Sequence, residues 1–252
     1  MTDPGATEIA LLAAAALVAG TVDAVAGGGG LLTVPALLAA GLSPHLVLGT
    51  NKGQSMFGSF AALVRFGRSG LIDPRRAVVM FPLGFAGSLA GAALVLVVPP
   101  AVLRPVVLVL LAAAALFIGL RPAARPHGGP PGRREAFLAG AAALAIGAYD
   151  GFFGPGTGTF LIVAFVGILG HGLARASAEA KVVNFASNLA AGVLFATRGT
   201  VVWRIALPMA AAQLAGGWLG AHLAVRRGDA LVRRVVVAVA LGAAAKLAWD
   251  MH

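Results

Sequence analysis

The chain has 252 residues, of which 59% are hydrophobic and only 11% are charged, and its mean hydropathy is +0.92. A soluble domain carries about 25% charged residues, so this composition excludes a soluble protein and predicts an integral membrane protein. Helices are expected because lipid cannot hydrogen-bond exposed backbone groups, and the sequence lacks the alternating strands of a membrane barrel. The net charge of +10 lies mostly in short loops, which is typical of membrane topology signals and not of nucleic-acid binding.

Ten apolar segments follow one another along the chain, and we expect the first to be retained as a helix. No basic residue precedes it, whereas a cleaved signal peptide needs a basic start. The one sizeable linker, residues 121–135, is rich in Pro, Gly and Arg and divides the chain near its middle. The segments are residues 9–26, 31–40, 46–66, 77–98, 101–120, 136–153, 160–169, 178–196, 205–225 and 231–249.

Residues 1–120 and 136–252 resemble each other, which indicates an internal duplication. Transporters are commonly built from such repeats. Asp23 with GGGG (27–30) matches Asp150 with GPGTG (154–158). TNKGQSMFGS (50–59) matches EAKVVNFASN (179–188), and RSGLIDPR (68–75) matches TRGTVVWR (197–204). The glycines of 87–91 match those of 216–220.

Arginine counts in equivalent loops indicate that the two repeats are inverted. Loop 65–76 carries four arginines and its counterpart 197–204 carries two, whereas loop 99–104 carries one and its counterpart 225–234 carries four. Cytoplasmic loops are rich in Lys and Arg. We therefore expect 65–76, 225–234 and the linker 121–135 to face the cytoplasm, which places equivalent loops on opposite sides.

Inversion needs an odd number of crossings in each repeat, and segment 31–40 is too short to be one of them. Ten helical residues span about 15 Å, half of the ~30 Å hydrocarbon core. We prefer a re-entrant hairpin made of the first two segments, followed by three full spans. Five tilted crossings would also invert, and segment 9–26 is long enough to cross. The predicted fold class is an all-α integral membrane protein of two inverted-topology repeats, each with a glycine-broken helix or re-entrant hairpin plus full transmembrane spans.

The two glycine-rich turns are candidates for anion binding. Irregular backbone at membrane depth must line a cavity or be buried in protein. The helix after each turn begins with unsatisfied N–H groups and the positive end of the helix dipole, which attract anions. The alternative is that glycines allow close helix packing, and we favour it for the pairs Gly87/Gly91 and Gly216/Gly220. The substrate-binding candidates at the turns are Gly27, Gly28, Gly29, Gly30, Gly154, Gly156 and Thr157.

Polar residues cluster near the start of the third segment of each repeat. A lysine at the bilayer centre costs ~2.5–3.5 kcal/mol, so it normally faces a partner, water or substrate; the alternative is that it reaches an interface. Asp23 and Asp150 could pair with these lysines, carry a proton or support the turn through backbone hydrogen bonds. The substrate-binding candidates here are Asn51, Lys52, Gln54, Ser55, Lys181, Asn184, Ser187 and Asn188.

The sequence contains no nucleophile–base constellation, no metal-ligand spacing and no cysteine. We therefore expect no enzyme activity, no cofactor and no metal. The expected partners are a small anionic substrate and membrane lipid, with no nucleic acid, and a homo-oligomer is left open.

Taken together, the motifs resemble the TauE/SafE family of sulfite and organosulfonate exporters over roughly residues 9–249. The resemblance implies a multi-pass secondary transporter of the bacterial inner membrane, with sulfite or organosulfonates as substrates, alternating access and coupling to the proton gradient. An anion channel with a glycine-turn filter is the alternative. The second repeat departs from the first at Pro155 and Thr157, and Glu179 stands where the first repeat has Thr50. The residues that match the family motif are Asp23, Gly27–Gly30, Thr50, Asn51, Lys52, Asp150, Gly154, Gly156, Lys181, Asn184, Ser187 and Asn188.

Overall fold

A computed structural model describes residues 5–120 and 132–250, and within them it contains nine α-helices and no strand. The helices are α1 (Ala6–Ala26), α2 (Gly30–Ala39), α3 (Pro44–Gly67), α4 (Pro74–Val97), α5 (Pro100–Leu120), α6 (Arg133–Phe152), α7 (Thr157–Leu169), α8 (Leu173–Thr197) and α9 (Trp203–Asp250). The backbone of α9 is non-helical at Gly228. Most of the predicted linker, residues 121–131, lies outside the described ranges, and its last three residues form the start of α6.

Among the described residues, three helices are long and apolar enough to cross a membrane: α1, α4 and α8. Large apolar side chains also lie on the outer surface, where lipid would cover them; Val78, Val97 and Phe137 are among the most exposed. The prediction of an all-helical protein built for a membrane is confirmed. The length of α1 agrees with the expectation that segment 9–26 can cross, while the number of crossings and the inversion stay predictions.

Each predicted glycine turn breaks a helix. α1 ends at Ala26, the following Gly27 adopts the left-handed conformation (φ 79°), and α2 begins at Gly30. α6 ends before Gly154 and Gly156, both at positive φ, and α7 begins at Thr157. A side chain is disfavoured at positive φ, which explains the glycines at 27, 154 and 156, whereas Gly29 and Gly30 lie close to Asp23 and Pro155.

The two helix breaks lie against each other. A Cβ on Gly27 would overlap the backbone of Gly158. The N–H of Thr159 donates to the carbonyl of Gly27 at 3.3 Å, and its hydroxyl donates to the carbonyl of Ala26 at 2.7 Å. Backbone therefore meets backbone at this crossing, which only a residue without a side chain permits.

The helices of the two halves pack across one another. α1 packs on α9, where Gly216 would meet the carbonyl of Leu17 if it carried a Cβ; α6 packs on α4, where Gly87 would meet the carbonyl of Leu144. The predicted packing role of these glycines is confirmed. α3 and α8 lie between the pairs and contact each other, so their inward faces are shielded from lipid.

Gly27 and Gly41 provide a matched test of the crossing, because both have φ 79° but only Gly27 faces another backbone. Gly41→Ala should cost only the left-handed strain, about 1–2 kcal/mol. Gly27→Ala should lower the melting temperature in detergent much further, since Gly158 must also move. Equal melting temperatures for the two variants would contradict this account of the crossing.

Candidate functional site

Two ion pairs connect the halves of the chain, one buried on both sides and one whose aspartate is partly exposed. The Nζ atom of Lys52 on α3 lies 2.7 Å from Oδ1 of Asp150 on α6. The Nζ atom of Lys181 on α8 lies 2.7 Å from Oδ2 of Asp23 on α1. Each lysine thus pairs with the aspartate of the other half. With 2% and 0% of their surfaces exposed, the lysines do not reach an interface, so the snorkelling alternative is wrong.

The aspartates support the local structure as well as the lysines. Oδ1 of Asp23 accepts a hydrogen bond from the N–H of Gly29 at 3.2 Å, across the first helix break. Oδ2 of Asp150 accepts one from the hydroxyl of Ser187 on α8. Of the roles left open for Asp23, pairing and turn support are therefore both present in the structure.

Side-chain amides complete the polar centre. Asn188 accepts from Lys52 Nζ at 3.0 Å, and Asn184 accepts from Lys181 Nζ at 3.3 Å, both through Oδ1. The hydroxyl of Thr33 donates to Oδ1 of Asn51 at 2.6 Å. These contacts order the amide groups around the two ammonium groups and leave donors for a further ligand.

A cavity of about 20 Å³ lies between the ion pairs. This space admits about one water molecule, and the side chain of Asp23 at its edge is 22% exposed. The predicted residues that line it are Asp23, Gly29, Gly30, Asn51, Lys52, Ser55, Asp150, Gly154, Asn184 and Asn188. The other candidates, which do not line it, are Gly27, Gly28, Gln54, Gly156, Thr157, Lys181 and Ser187.

The helix N-termini at the breaks reach the cavity unequally. α2 begins at Gly30, and both Gly29 and Gly30 line the cavity. α7 begins at Thr157, whose hydroxyl donates to the carbonyl of Gly154 at 2.6 Å, and only Gly154 lines the cavity. The positive end of α2 is therefore the one that lies beside the ion pairs.

Gln213 on α9 also lines the cavity, and sequence reasoning missed it. It is a polar residue within the apolar segment 205–225, which was the available signal. Its carboxamide fits because Gly20 and Gly58 lack side chains: a Cβ on Gly20 would lie 2.8 Å from Oε1 of Gln213. The other half has Gly84 at the equivalent position, so this amide makes the centre asymmetric.

A second polar cluster surrounds Glu179, which is 2% exposed. Its Oε2 atom lies 2.9 Å from Nδ1 of His171, and its Oε1 atom lies 3.5 Å from Nε of Arg175 and 3.7 Å from Nη1 of Arg76. Arg76 also pairs with Asp73 at 3.0 Å. Burial, together with the charges of Arg175 and Arg76, lowers the pKa of His171 to about 4. The imidazole is therefore neutral at neutral pH.

Helices suited to a membrane, broken helices and charges buried between the halves define a membrane transport protein, and the relatives agree. A "Probable membrane transporter protein ORF9" of Sinorhizobium sp is 37% identical over 96% of this chain and 93% of its own length. The "Probable membrane transporter protein YfcA" of Escherichia coli K12 is 38% identical over 94% of this chain and 88% of its own. A "Probable membrane transporter protein" of Haemophilus influenzae is 37% identical over 98% and 97%.

The family model described as "Sulfite exporter TauE/SafE" matches residues 12–247. The chain therefore belongs to the TauE/SafE family, as its motifs indicate. No solved structure matches the chain significantly.

The buried pairs predict a large stability effect. Asp150→Asn leaves the ammonium of Lys52 buried without its carboxylate, and removing one partner of such a pair costs about 3–5 kcal/mol. We expect a markedly lower melting temperature in detergent for Asp150→Asn. The double variant with Lys52→Met should recover most of the loss because it removes the uncompensated charge. A single variant as stable as the wild type would show that the pair is not formed.

Proposed function

We propose that the chain is a secondary transporter that moves small sulfur-containing anions, sulfite or organosulfonates, across the bacterial inner membrane by alternating access, coupled to the proton gradient. The observation that carries the proposal is the pair of buried lysines beside two broken helices. Ammonium groups and a helix N-terminus attract an oxyanion. The family's description as sulfite exporters supplies the substrate class.

We further propose that residues 1–120 and 136–252 are inverted repeats joined by a cytoplasmic linker, 121–135. The arginine counts support opposite orientations. Contacts between the two repeats support a two-fold axis that relates them. The first helix of each repeat packs on the fourth helix of the other, α1 on α9 and α6 on α4, and each lysine pairs with the aspartate of the other repeat. Positive-φ glycines also recur at equivalent positions, since Gly41 corresponds to Gly170 and Gly70 to Gly199.

In this proposal the anion takes the place of carboxylate oxygens beside the lysines. Lys52 and Lys181 provide the positive charges. The side chains of Asn51, Ser55 and Gln213 provide neutral hydrogen-bond donors. The cavity admits about one water, so the repeats have to move apart before an anion enters. A static channel filter does not require such a movement, and the small volume therefore favours alternating access.

The balance of charges in the centre supports the proton as the coupling ion. Two lysines and two aspartates make the centre neutral, and an added anion would leave a net negative charge in a buried site. Burying an uncompensated charge is costly. A proton taken up by Asp23 or Asp150 restores neutrality and frees the lysine for the anion, so we propose these two aspartates as the proton carriers.

The lysine role is tested by transport. Lys52→Ala and Lys181→Ala, made singly and reconstituted in vesicles, should each lower sulfite uptake at least about tenfold, the loss expected for a buried charge-assisted hydrogen bond. Arg104→Ala removes an exposed basic side chain away from the cavity and should leave uptake unchanged. Wild-type uptake and affinity in both lysine variants would refute the proposed anion site.

The inversion is tested by labelling, since the chain has no cysteine to remove. Arg68→Cys and Thr197→Cys place single thiols at equivalent, exposed positions of the two repeats. In inverted repeats an impermeant maleimide should reach Arg68→Cys from the cytoplasmic side and Thr197→Cys from the outside. Labelling of both from one side would rule out the inverted arrangement.

A further inference from the structure

Two arginines at the end of α3 contact an imidazole and an indole of α9. The Nε atom of Arg65 donates a hydrogen bond to Nδ1 of His222 at 3.2 Å. The Cζ atom of Arg68 lies over the ring of Trp218, 5.5 Å from the ring centroid. Positions three or four apart share one side of a helix, so the four side chains form one group, which we call the α3–α9 basic cluster. It joins a helix of the first half of the chain to a helix of the second.

The positive charges of this cluster have no negative partner within the described ranges. The ion pairs formed there include neither Arg65 nor Arg68. The acids closest to the cluster along the chain, Asp73 and Asp229, contact other residues. The negative end of the α3 dipole amounts to about half a charge, which the two guanidinium charges exceed. The cluster therefore attracts an anion.

The hydrogen bond within the cluster determines which imidazole nitrogen is left to donate. Arginine has no acceptor atom, so Nδ1 of His222 accepts from Arg65, and the neutral ring carries its proton on Nε2. Among the residues that the structure describes, none accepts a hydrogen bond from this N–H or from the terminal nitrogens of Arg65. Three side chains of the cluster thus keep donors for an oxyanion.

The cluster lies at the end of an exposed apolar stripe of α9. Leu207, Leu214 and Trp218 are exposed along one side of this helix, and His222 and Arg226 follow Trp218 at intervals of four residues. In a membrane protein, exposed leucines face lipid tails and tryptophan is typical of the headgroup level. The stripe therefore presents apolar, aromatic and cationic groups in the order in which a phospholipid presents its chains, glycerol and phosphate.

The equivalent contact between the other two helices has no such cluster. The residues 129 positions away are Leu194 and Thr197 in place of the arginines, and Leu89 and Ala93 in place of the indole and the imidazole. Nevertheless α8 packs on α4 there, as α3 packs on α9. Packing of these helices does not require charged side chains, so the basic cluster needs another explanation.

We propose that the α3–α9 basic cluster binds the phosphate of an anionic phospholipid, with Arg65 and Arg68 pairing with the phosphate and His222 donating through Nε2. The acyl chains lie along the exposed stripe of α9. Basic pockets between transmembrane helices bind such headgroups. The bound lipid holds α3 and α9 together at this end of the molecule. The site is separate from the anion centre and does not depend on the proposed transport function.

Lipid binding to the full-length protein in detergent tests the site. Native mass spectrometry should show that phosphatidylglycerol binds at least about tenfold more tightly than phosphatidylcholine with the same acyl chains, because the choline cation offsets the phosphate charge. Arg65→Gln and Arg68→Gln should each weaken phosphatidylglycerol binding about tenfold, the loss expected for one charge-assisted hydrogen bond. Arg75→Gln removes an equal charge from an exposed arginine at the same end, outside the cluster, and should leave the binding unchanged.

Three results would overturn the proposal. An equal loss in Arg75→Gln and Arg65→Gln would show attraction by the whole basic end, and undiminished binding in both cluster variants would place the lipid elsewhere. Displacement of the lipid by inorganic phosphate at the same concentration would show a phosphate site without a role for acyl chains. Arg68 is exposed, so Arg68→Gln still tests the site if Arg65→Gln fails to fold. No substrate is added, so these results are independent of the lysine variants that test the anion site.

Discussion

The structure depends on the two ion pairs that join the halves of the chain. Lys52 and Lys181 are buried where an unpaired ammonium would not be tolerated, and each finds its carboxylate on a helix of the other half. Neither half is therefore complete alone. The crossing of Gly27 with Gly158 and the glycine contacts of α4 and α9 bring the backbones close enough for these pairs to form.

The same pairs limit what the closed protein can do. Every charge in the centre already has a partner, and the space between them holds about one water. In the proposed function, an anion enters only when a lysine leaves its aspartate, which requires movement of the helices and compensation of charge. In the proposed function, alternating access and coupling to protons both follow from this one arrangement of charges.

The sequence predicted those features that depend on local chemistry or on the repeat. Runs of glycine predicted the helix breaks, and the repeated Asp and Lys predicted which residues form the polar centre. Contacts between distant helices could not be predicted from the sequence. Whether Lys52 is buried or reaches an interface, for example, depends on how α3 packs against α8. Gln213 was missed for the same reason, because a single polar residue in an apolar helix gains meaning only when Gly20 and Gly58 face it. His171 and Arg76, 95 positions apart, meet only in the fold.

Proton uptake on anion binding tests the central claim most directly. Methanesulfonate remains an anion over the working pH range, so any proton taken up belongs to the protein. In weakly buffered detergent solution, binding of methanesulfonate should be accompanied by uptake of about one proton per anion, because the anion replaces an aspartate at a lysine. Uptake should be lost when Asp23 and Asp150 are both replaced by Asn. Binding of the anion without proton uptake, or no binding at all, would contradict the account.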